Sequence, residues 1–136
     1  GVVAFHTAHK LTMMAHSPDH YRKMGRLVAQ AGALPWPEMV DRYGHLLMEG
    51  LEVMSSPGRH VNVLQHLMGF LKEFLSKEDK AELLDLITDY QEGLVPLIVP
   101  LTLLRHHLKR QPVAEWVHQQ VYLHPYPKEL MLRNHV

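Results

Sequence analysis

The fold of this chain is decided by one stretch, residues 59–75, which reads RHVNVLQHLMGFLKEFL. Its apolar residues recur every three or four positions and cover about half of the circumference of a helix. A helix that is apolar over so wide an arc needs packing partners on several sides, so we predict that this is the central helix. The remaining face carries Asn62, Gln65, His66, Gly69 and Glu73.

Two residues of this central helix carry predictions of their own. His60 falls in the apolar stripe, which is typical of a hydrogen-bonded core histidine. Gly69 lies in the helix interior, where glycine costs about 1 kcal/mol relative to alanine. Its presence predicts that another backbone or a ligand approaches the helix closely at this point.

Helical periodicity extends outward from the central helix over almost the whole chain, and no segment alternates as a half-buried strand does. Ser17-Pro18-Asp19 and Ser76 with Asp79 are helix start signals, and Gly32 is a stop signal. The predicted helices cover residues 3–16, 18–31, a third ending near 54, 59–75, 76–93, a sixth from Pro96 or Pro100 to about 110, and a short seventh around Trp116. We therefore predict an all-α fold, a single-domain irregular or orthogonal bundle of about six to seven helices over residues 1–136.

Two of the predicted helices carry specific predictions about burial. The inner face of the first is predicted to consist of Ala4, Ala8, Leu11 and Ala15. Its opposite face holds His6, His9, Met13 and His16. The third helix is predicted to bury Val40, Tyr43, Leu47, Leu51 and Met54.

Composition excludes several classes of protein. The 136 residues contain no cysteine, which rules out disulfides, thiolate nucleophiles and a self-contained iron–sulfur cluster. The most apolar stretch, residues 94–104, is too short for a membrane span and contains two prolines. No secretory signal opens the chain, so we expect a cytoplasmic protein. Because the first residue is glycine, we also expect that the domain was excised from a longer fusion protein.

The charges cancel overall, 14 basic against 14 acidic side chains, but they are segregated along the chain. Residues 1–26 carry four basic side chains against Asp19 alone, and residues 94–136 carry five against two. Residues 76–93 hold six carboxylates against two lysines. If the two ends of the chain meet in space, their positive fields add and attract phosphate.

These basic ends suggest RNA as the binding partner. Arg22, Lys23 and Arg26 share one helix face, and Arg105 and Lys109 are spaced by one turn. The aromatic residues Phe5, Tyr122 and Tyr126 are near the basic ends and would stack on unpaired bases, unless they are core residues. The candidate RNA-binding residues are His9, Lys10, Arg22, Lys23, Arg26, Asn62, His66, Arg105, Lys128 and Arg133.

Motifs for catalysis or metal binding are weak. There is no Gly-x-Ser-x-Gly elbow, no phosphate-binding glycine loop and no dinucleotide fingerprint. His6 and His9 would supply only two metal ligands, and His16 lies too far along the helix to join them. We predict no bound metal and no catalytic residue. An enzyme built on histidines such as His66, with Glu73, is the alternative.

Several motifs in a fixed order resemble the YbgA-like bacterial domain of unknown function. They are Phe5-His6-x-x-His9-Lys10, Met14-Ala15-His16-Ser17-Pro18, Asn62-Val63-Leu64-x-His66-x-x-Gly69, Pro96-Leu97-Ile98-x-Pro100 and Gln120-x-Tyr122-Leu123-x-Pro125-x-Pro127. Tyr21, Gly25 and the ending Glu129-Leu130-x-Leu132-Arg133-Asn134 complete the resemblance, which covers essentially the whole chain.

Members of this family occur alone or joined to a cysteine-rich, iron–sulfur desulfidase domain. The resemblance therefore implies a non-catalytic accessory module that binds RNA, tRNA in the first place, for 4-thiouridine desulfidation by a partner domain in cis or in trans. Any iron–sulfur cluster would belong to that partner, so no cofactor is expected in this chain. The alternatives are the histidine-based enzyme and a helical module that binds another protein.

Overall fold

The chain forms helices joined by short turns. The computed structural model describes residues 1–124, and within this range it contains no strand. Its elements are α1 (Val2–Ala8), α2 (Lys10–His16), α3 (Pro18–Val28), α4 (Trp36–Glu52), α5 (Pro57–Leu71), α6 (Lys77–Gln91), α7 (Ile98–Arg110), α8 (Glu115–His118) and a 3-10 helix (Val121–Leu123). The predicted all-α class is confirmed. No helix in the described range is long and apolar enough to traverse a bilayer.

Serine caps start three of these helices. The hydroxyls of Ser17, Ser56 and Ser76 each accept the backbone N–H of the third residue that follows. Each cap satisfies a donor that the first helical turn leaves without a partner. The start signals at Ser17 and Ser76 are therefore confirmed. Gly93, in the left-handed region with φ of +78°, follows the end of α6, where glycine is the favoured residue.

Several predicted helix limits were wrong by a few residues; the central helix, predicted over 59–75, spans Pro57–Leu71. The predicted first helix is divided into α1 and α2 at His9. The second, α3, ends at Val28 and continues as turns to residue 33. The sixth, α7, begins at Ile98, between the two alternative prolines. Pro100 then stands in the first turn, where a missing N–H costs nothing.

Helix α5 is the central helix, as predicted. It packs against α2, α6 and α7, and its buried residues include His60, Leu64 and Leu67. The larger hydrophobic core forms around it and takes in the 3-10 helix through Tyr122 and Leu123. Burial of leucines on four helices around one axis supplies the main apolar stabilisation of the fold.

A second, smaller core lies on the other side of α2, between α3 and α4. It consists of Met13, Met24, Leu27, Met39 and Tyr43. Met13 is 1% exposed, so its predicted place on the outer face of the first helix was wrong, and Ala4, predicted to face inside, is exposed. The reason is that α2 lies between two cores, with Leu11 and Ala15 facing one and Met13 facing the other.

The burial predicted for the third helix, α4, was also wrong in part. Val40 is 50% exposed, Leu51 37% and Met54 81%, and Leu47 is half-buried. The buried residues of α4 are Met39, Tyr43 and Gly50. Because α4 packs against α3 and α2 on one side only, it buries one narrow stripe and leaves a second apolar stripe open.

Candidate nucleic-acid interface

The two ends of the described chain meet at the break between α1 and α2. The side chain of Gln120 is fully buried there. Its Oε1 accepts the N–H of Leu11 at 3.1 Å, and its Nε2 donates to the carbonyl of Thr7 at 2.6 Å. An unbroken helix would join that N–H directly to that carbonyl. The inserted carboxamide therefore explains the break and fixes the C-terminal segment against the N-terminal helices.

Lys10 and Trp116 form a second contact at the same place. The Lys10 ammonium lies 5.3 Å from the centre of the Trp116 ring, a cation–π geometry. The carbonyl of Trp116 also accepts from Gln120 Nε2 at 3.3 Å. The two ends of the chain therefore lie close together within residues 1–124. The predicted shared positive surface depends on this closeness.

The 3-10 helix is fixed to the core by an aromatic pair. Tyr122 is fully buried, and its hydroxyl lies 2.7 Å from Nδ1 of His60. The prediction that His60 is a core histidine is confirmed. Tyr122 is not available to stack on a base, whereas Phe5 remains exposed. Tyr126 lies outside the described residues.

The basic triplet on α3 is exposed and stands beside α1. Arg22, Lys23 and Arg26 all face solvent, and Arg22 forms an ion pair with Asp19. On the neighbouring face of α3, a Cβ added to Gly25 would lie 3.5 Å from His6 Nε2. This is an ordinary contact distance, and the packing of α3 against α1 places the triplet next to the N-terminal helix.

A shallow recess collects the basic side chains of the other chain end. Arg105 and Lys109 line it together with His118 and His124. The Nε atom of Arg105 is buried and has no hydrogen-bond partner in the described part of the chain. His124 donates Nε2–H to the carbonyl of His118 at 2.7 Å. Sequence spacing identified the two cations but gave no signal for the two histidines.

Asn62 and His66 occupy a separate position. Both are exposed on α5, and no hydrogen bond joins them within residues 1–124. Helix α5 packs against α2, α6 and α7, whereas α3 packs against α1, α2 and α4. These two side chains are thus separated from the α3 triplet by α2. Within the described residues no other backbone approaches Gly69, since nothing lies within 4 Å of an added Cβ; the approach of a ligand there stays a prediction.

The acidic helix does not separate the two basic ends. Helix α6 packs against α5 and α7, on the far side of the central helix from α2.

His9, at the α1–α2 junction, donates Nδ1–H to the carbonyl of Phe5 at 2.8 Å and stacks on its ring at 4.0 Å. The remaining candidates, Lys128 and Arg133, lie outside the described residues.

A histidine and two tyrosines pack together where α1, α3 and α4 meet. His6 Nδ1 lies 3.1 Å from the Tyr43 hydroxyl, and the His6 ring stacks on Tyr21 with centroids 4.8 Å apart. Burial, and then the charge of Lys10, lower the pKa of His6. Burial, and then Tyr21, raise the pKa of Tyr43 to about 12.

These shifts keep His6 and Tyr43 neutral near pH 7, and a phenol with a pKa of about 12 is a poor acid or base there. We therefore interpret His6, Tyr21 and Tyr43 as a cluster that stabilises the fold by packing and hydrogen bonding. Within the described residues, no group of three or more histidine, aspartate or glutamate side chains is arranged to hold a metal ion.

Comparison with known proteins gives one family and one relative. A family described as "Protein of unknown function (DUF1722)" matches residues 10–127. The chain is similar to "Uncharacterized protein YbgA" of Escherichia coli (strain K12), with 31% identity over 133 residues, which is 96% of this chain and 77% of that protein. No solved structure matches.

Proposed function

The chain belongs to the DUF1722 family, and from that premise we propose that it is a non-catalytic module that binds RNA, and tRNA in the first place. In this proposal it serves tRNA 4-thiouridine desulfidation in the cytoplasm by presenting RNA to a cysteine-rich partner domain, in cis or in trans. The chain has no cysteine of its own, so the iron–sulfur cluster that such a reaction needs belongs to the partner.

One observation carries the proposal: the Gln120 side chain joins the two basic ends of the chain. It pairs with Leu11 and Thr7, so the segment whose His118 and His124 line the Arg105–Lys109 recess is held against α2, and the α3 helix with its triplet also packs against α2. Arginine and lysine contacts to phosphate supply most of the affinity of a non-specific nucleic-acid complex. The net charge of zero limits this attraction to a local surface and favours modest affinity without the partner domain.

The two clusters suggest a division of roles. The exposed triplet on α3 fits phosphates of a helical backbone, since its side chains extend freely from one helix face. The Arg105–Lys109 recess has a volume of only about 20 Å³, so a phosphate would lie at its opening and accept charge-assisted hydrogen bonds from the two cations there.

The test is binding of total tRNA measured by fluorescence anisotropy at several salt concentrations. We expect log Kd to rise linearly with log salt, and the triple variant Arg22→Gln, Lys23→Gln, Arg26→Gln to reduce that slope by roughly 2 units if all three side chains contact phosphates. The matched control is Lys72→Gln, Lys77→Gln, Lys80→Gln, which removes the same charge beside the acidic helix. Equal effects of the two triple variants, or none from the α3 variant, would show that this surface does not bind RNA.

A second candidate function, a module that binds another protein, is favoured by the open apolar stripe on α4. Exposed contiguous apolar surface of several hundred Å² marks interaction sites in soluble proteins. This stripe is separate from the basic triplet of α3 and from the Arg105–Lys109 recess.

A further inference from the structure

The open stripe of α4 runs along the whole helix. It consists of Trp36, Val40, Gly44, Leu47, Met48 and Leu51. Trp36 and Met48 are each 59% exposed. At 100° per residue these six positions fall within about one third of the helix circumference, beside the buried stripe of Met39 and Tyr43. The helix is therefore apolar on two adjacent faces, of which the protein covers one.

The same stripe contains both a groove and projecting side chains. The groove, about 320 Å³, is lined in part by Phe5, Trp36 and Gly44. Toward the other end of the helix, Met48 and Leu51 project, followed by Met54 just beyond it. With Phe5, the exposed part of the stripe amounts to roughly 700 Å² of apolar surface, close to the ~800 Å² that each partner contributes to a standard interface.

Gly44 is the midpoint of α4, which runs from residue 36 to residue 52. A two-fold axis through Gly44 would lay a second copy of the helix antiparallel on the first over its full length of about 25 Å. Val40 would then face Met48 of the second copy, and Trp36 would lie level with its Glu52, next to its Leu51. Nothing lies within 4 Å of an added Cβ at Gly44, so the two backbones can approach closely at the axis. Projecting side chains at one end would meet the groove at the other.

The charges at the end of α4 favour the same arrangement. Glu52 stands in the last turn of α4, which carries no basic residue of its own, whereas Glu49 faces His20 of α3 at 3.4 Å. A carboxylate at a helix C-terminus is unfavourable because that end carries a partial negative charge. In an antiparallel pair Glu52 would lie beside the positive N-terminus of the second copy, so the repulsion becomes an attraction.

We propose that two copies of this chain associate through the α4 stripe as a two-fold symmetric dimer with its axis at Gly44. A closed two-fold contact needs a patch that complements itself, and the groove, the projecting side chains and the central glycine meet that requirement. The dimer places two basic surfaces on one particle. It does not depend on the RNA-binding proposal, and the two are tested by different measurements.

The first experiment is sedimentation equilibrium of the full chain over a range of protein concentrations. We expect a dimer, and we expect Met48→Lys to raise its dissociation constant roughly 100-fold because a charge is buried without a partner. The matched control is Leu84→Lys on α6, where the leucine is 50% exposed and away from the stripe; it should leave dissociation unchanged. A chain that stays monomeric, with the stripe free or covered by another partner, overturns the proposal, and so does a dimer that Met48→Lys leaves intact.

The second experiment uses the absence of cysteine from the chain. Gly44→Cys would place two thiols at the two-fold axis, within reach of each other for a disulfide. We expect rapid formation of a cross-linked dimer under mild oxidation. Gly69→Cys is the control, since Gly69 is also a helical glycine with nothing within 4 Å of an added Cβ. Equal cross-linking of the two variants contradicts an axis at Gly44.

Discussion

The two sides of α2 are packed in different ways. On one side, the α5–α7 core is built mainly of leucines, and helices or the 3-10 segment cover it all round. On the other side, the α3–α4 core is small, with three methionines among its five buried residues. Methionine is flexible and fills irregular gaps, whereas leucine packs in a few defined rotamers.

The two sides differ in how fully the apolar faces of their helices are covered by neighbouring helices. Helix α5 has packing partners on three sides, so its apolar arc is covered. Helix α4 has α2 and α3 on one side, so a second apolar stripe of similar length stays exposed. A helix buries only as many faces as it has neighbours. We place the second copy of the chain on the exposed apolar face of α4.

The largest effect is expected from truncation in the leucine core. Leu67→Ala should lower the free energy of unfolding by about 3 to 4 kcal/mol, because it removes apolar contacts and leaves a cavity in a region that cannot collapse. Met24→Ala, equally buried in the α3–α4 core, should cost about 2 to 3 kcal/mol, since the flexible methionines around it can fill part of the space. Urea denaturation measures both. A larger cost for Met24→Ala would contradict the contrast between the two cores.

The next effect concerns the joint between the chain ends. Gln120→Ala should cost about 1 to 3 kcal/mol, because it leaves the Leu11 N–H without a partner in a buried place, whereas the Thr7 carbonyl keeps a backbone N–H of the α1 C-cap. It should also weaken tRNA binding if both ends contribute to one surface. The control is Gln119→Ala, the exposed neighbour, which should change stability by less than about 0.5 kcal/mol. Equal stabilities of the two variants would show that the inserted carboxamide does not hold the ends together.

Two helical glycines should respond with opposite signs to the same substitution. A Cβ at Gly50 would lie 2.5 Å from Met13 Cε and 2.9 Å from His20 Cβ, so Gly50→Ala should destabilise the protein by about 1 to 2 kcal/mol through overpacking. Gly69→Ala meets open space on α5 and should stabilise it by up to about 1 kcal/mol. Thermal denaturation measures both. Effects of the same sign would mean that α4 is not packed closely on α2 and α3.

The smallest effect is a pH dependence in the α1–α3–α4 cluster. The pKa of His6 is lowered by burial and by Lys10, so the folded protein binds fewer protons at this site than the unfolded chain, whose histidine pKa is about 6.5. The contribution of His6 to stability is therefore present above pH 6.5 and is lost as the pH falls below it. His6→Gln should make the decline of unfolding free energy from pH 7 to pH 5 shallower than in the unchanged chain. An unaltered decline would contradict the direction of the shift.

Features that depend only on residues nearby in the sequence, such as helix caps and the buried face of a single helix, could be predicted correctly. Ser17 and Ser76 were predicted as caps because a cap depends only on the next three residues. His60 was predicted as a core residue because helical periodicity places it in the apolar stripe of α5. The candidate cations on α3 and α7 were also identified from spacing along single helices, and their role in binding RNA stays a prediction.

Contacts between distant parts of the chain could not be read from spacing. Gln120 and Leu11 are 109 residues apart, and only the occurrence of Gln120 in the family motif pointed to it. The exposure of Val40 and Leu51 was missed because periodicity shows which faces of a helix are apolar and not how many of them have a neighbour. Met13 was predicted to be exposed and is buried, because α2 has neighbours on two sides and so buries two of its faces.

The amino-acid sequence alone determined the all-α class, most helix starts, the central place of residues 59–75, the lack of cysteine chemistry and the separation of charge along the chain. These follow from local propensity and from composition, which need no partner. Only the tertiary structure decided that the ends meet through Gln120, that α2 divides two cores and that α4 keeps an apolar stripe open. Each of these depends on which surfaces come together in three dimensions, and that is a property of the packed chain as a whole.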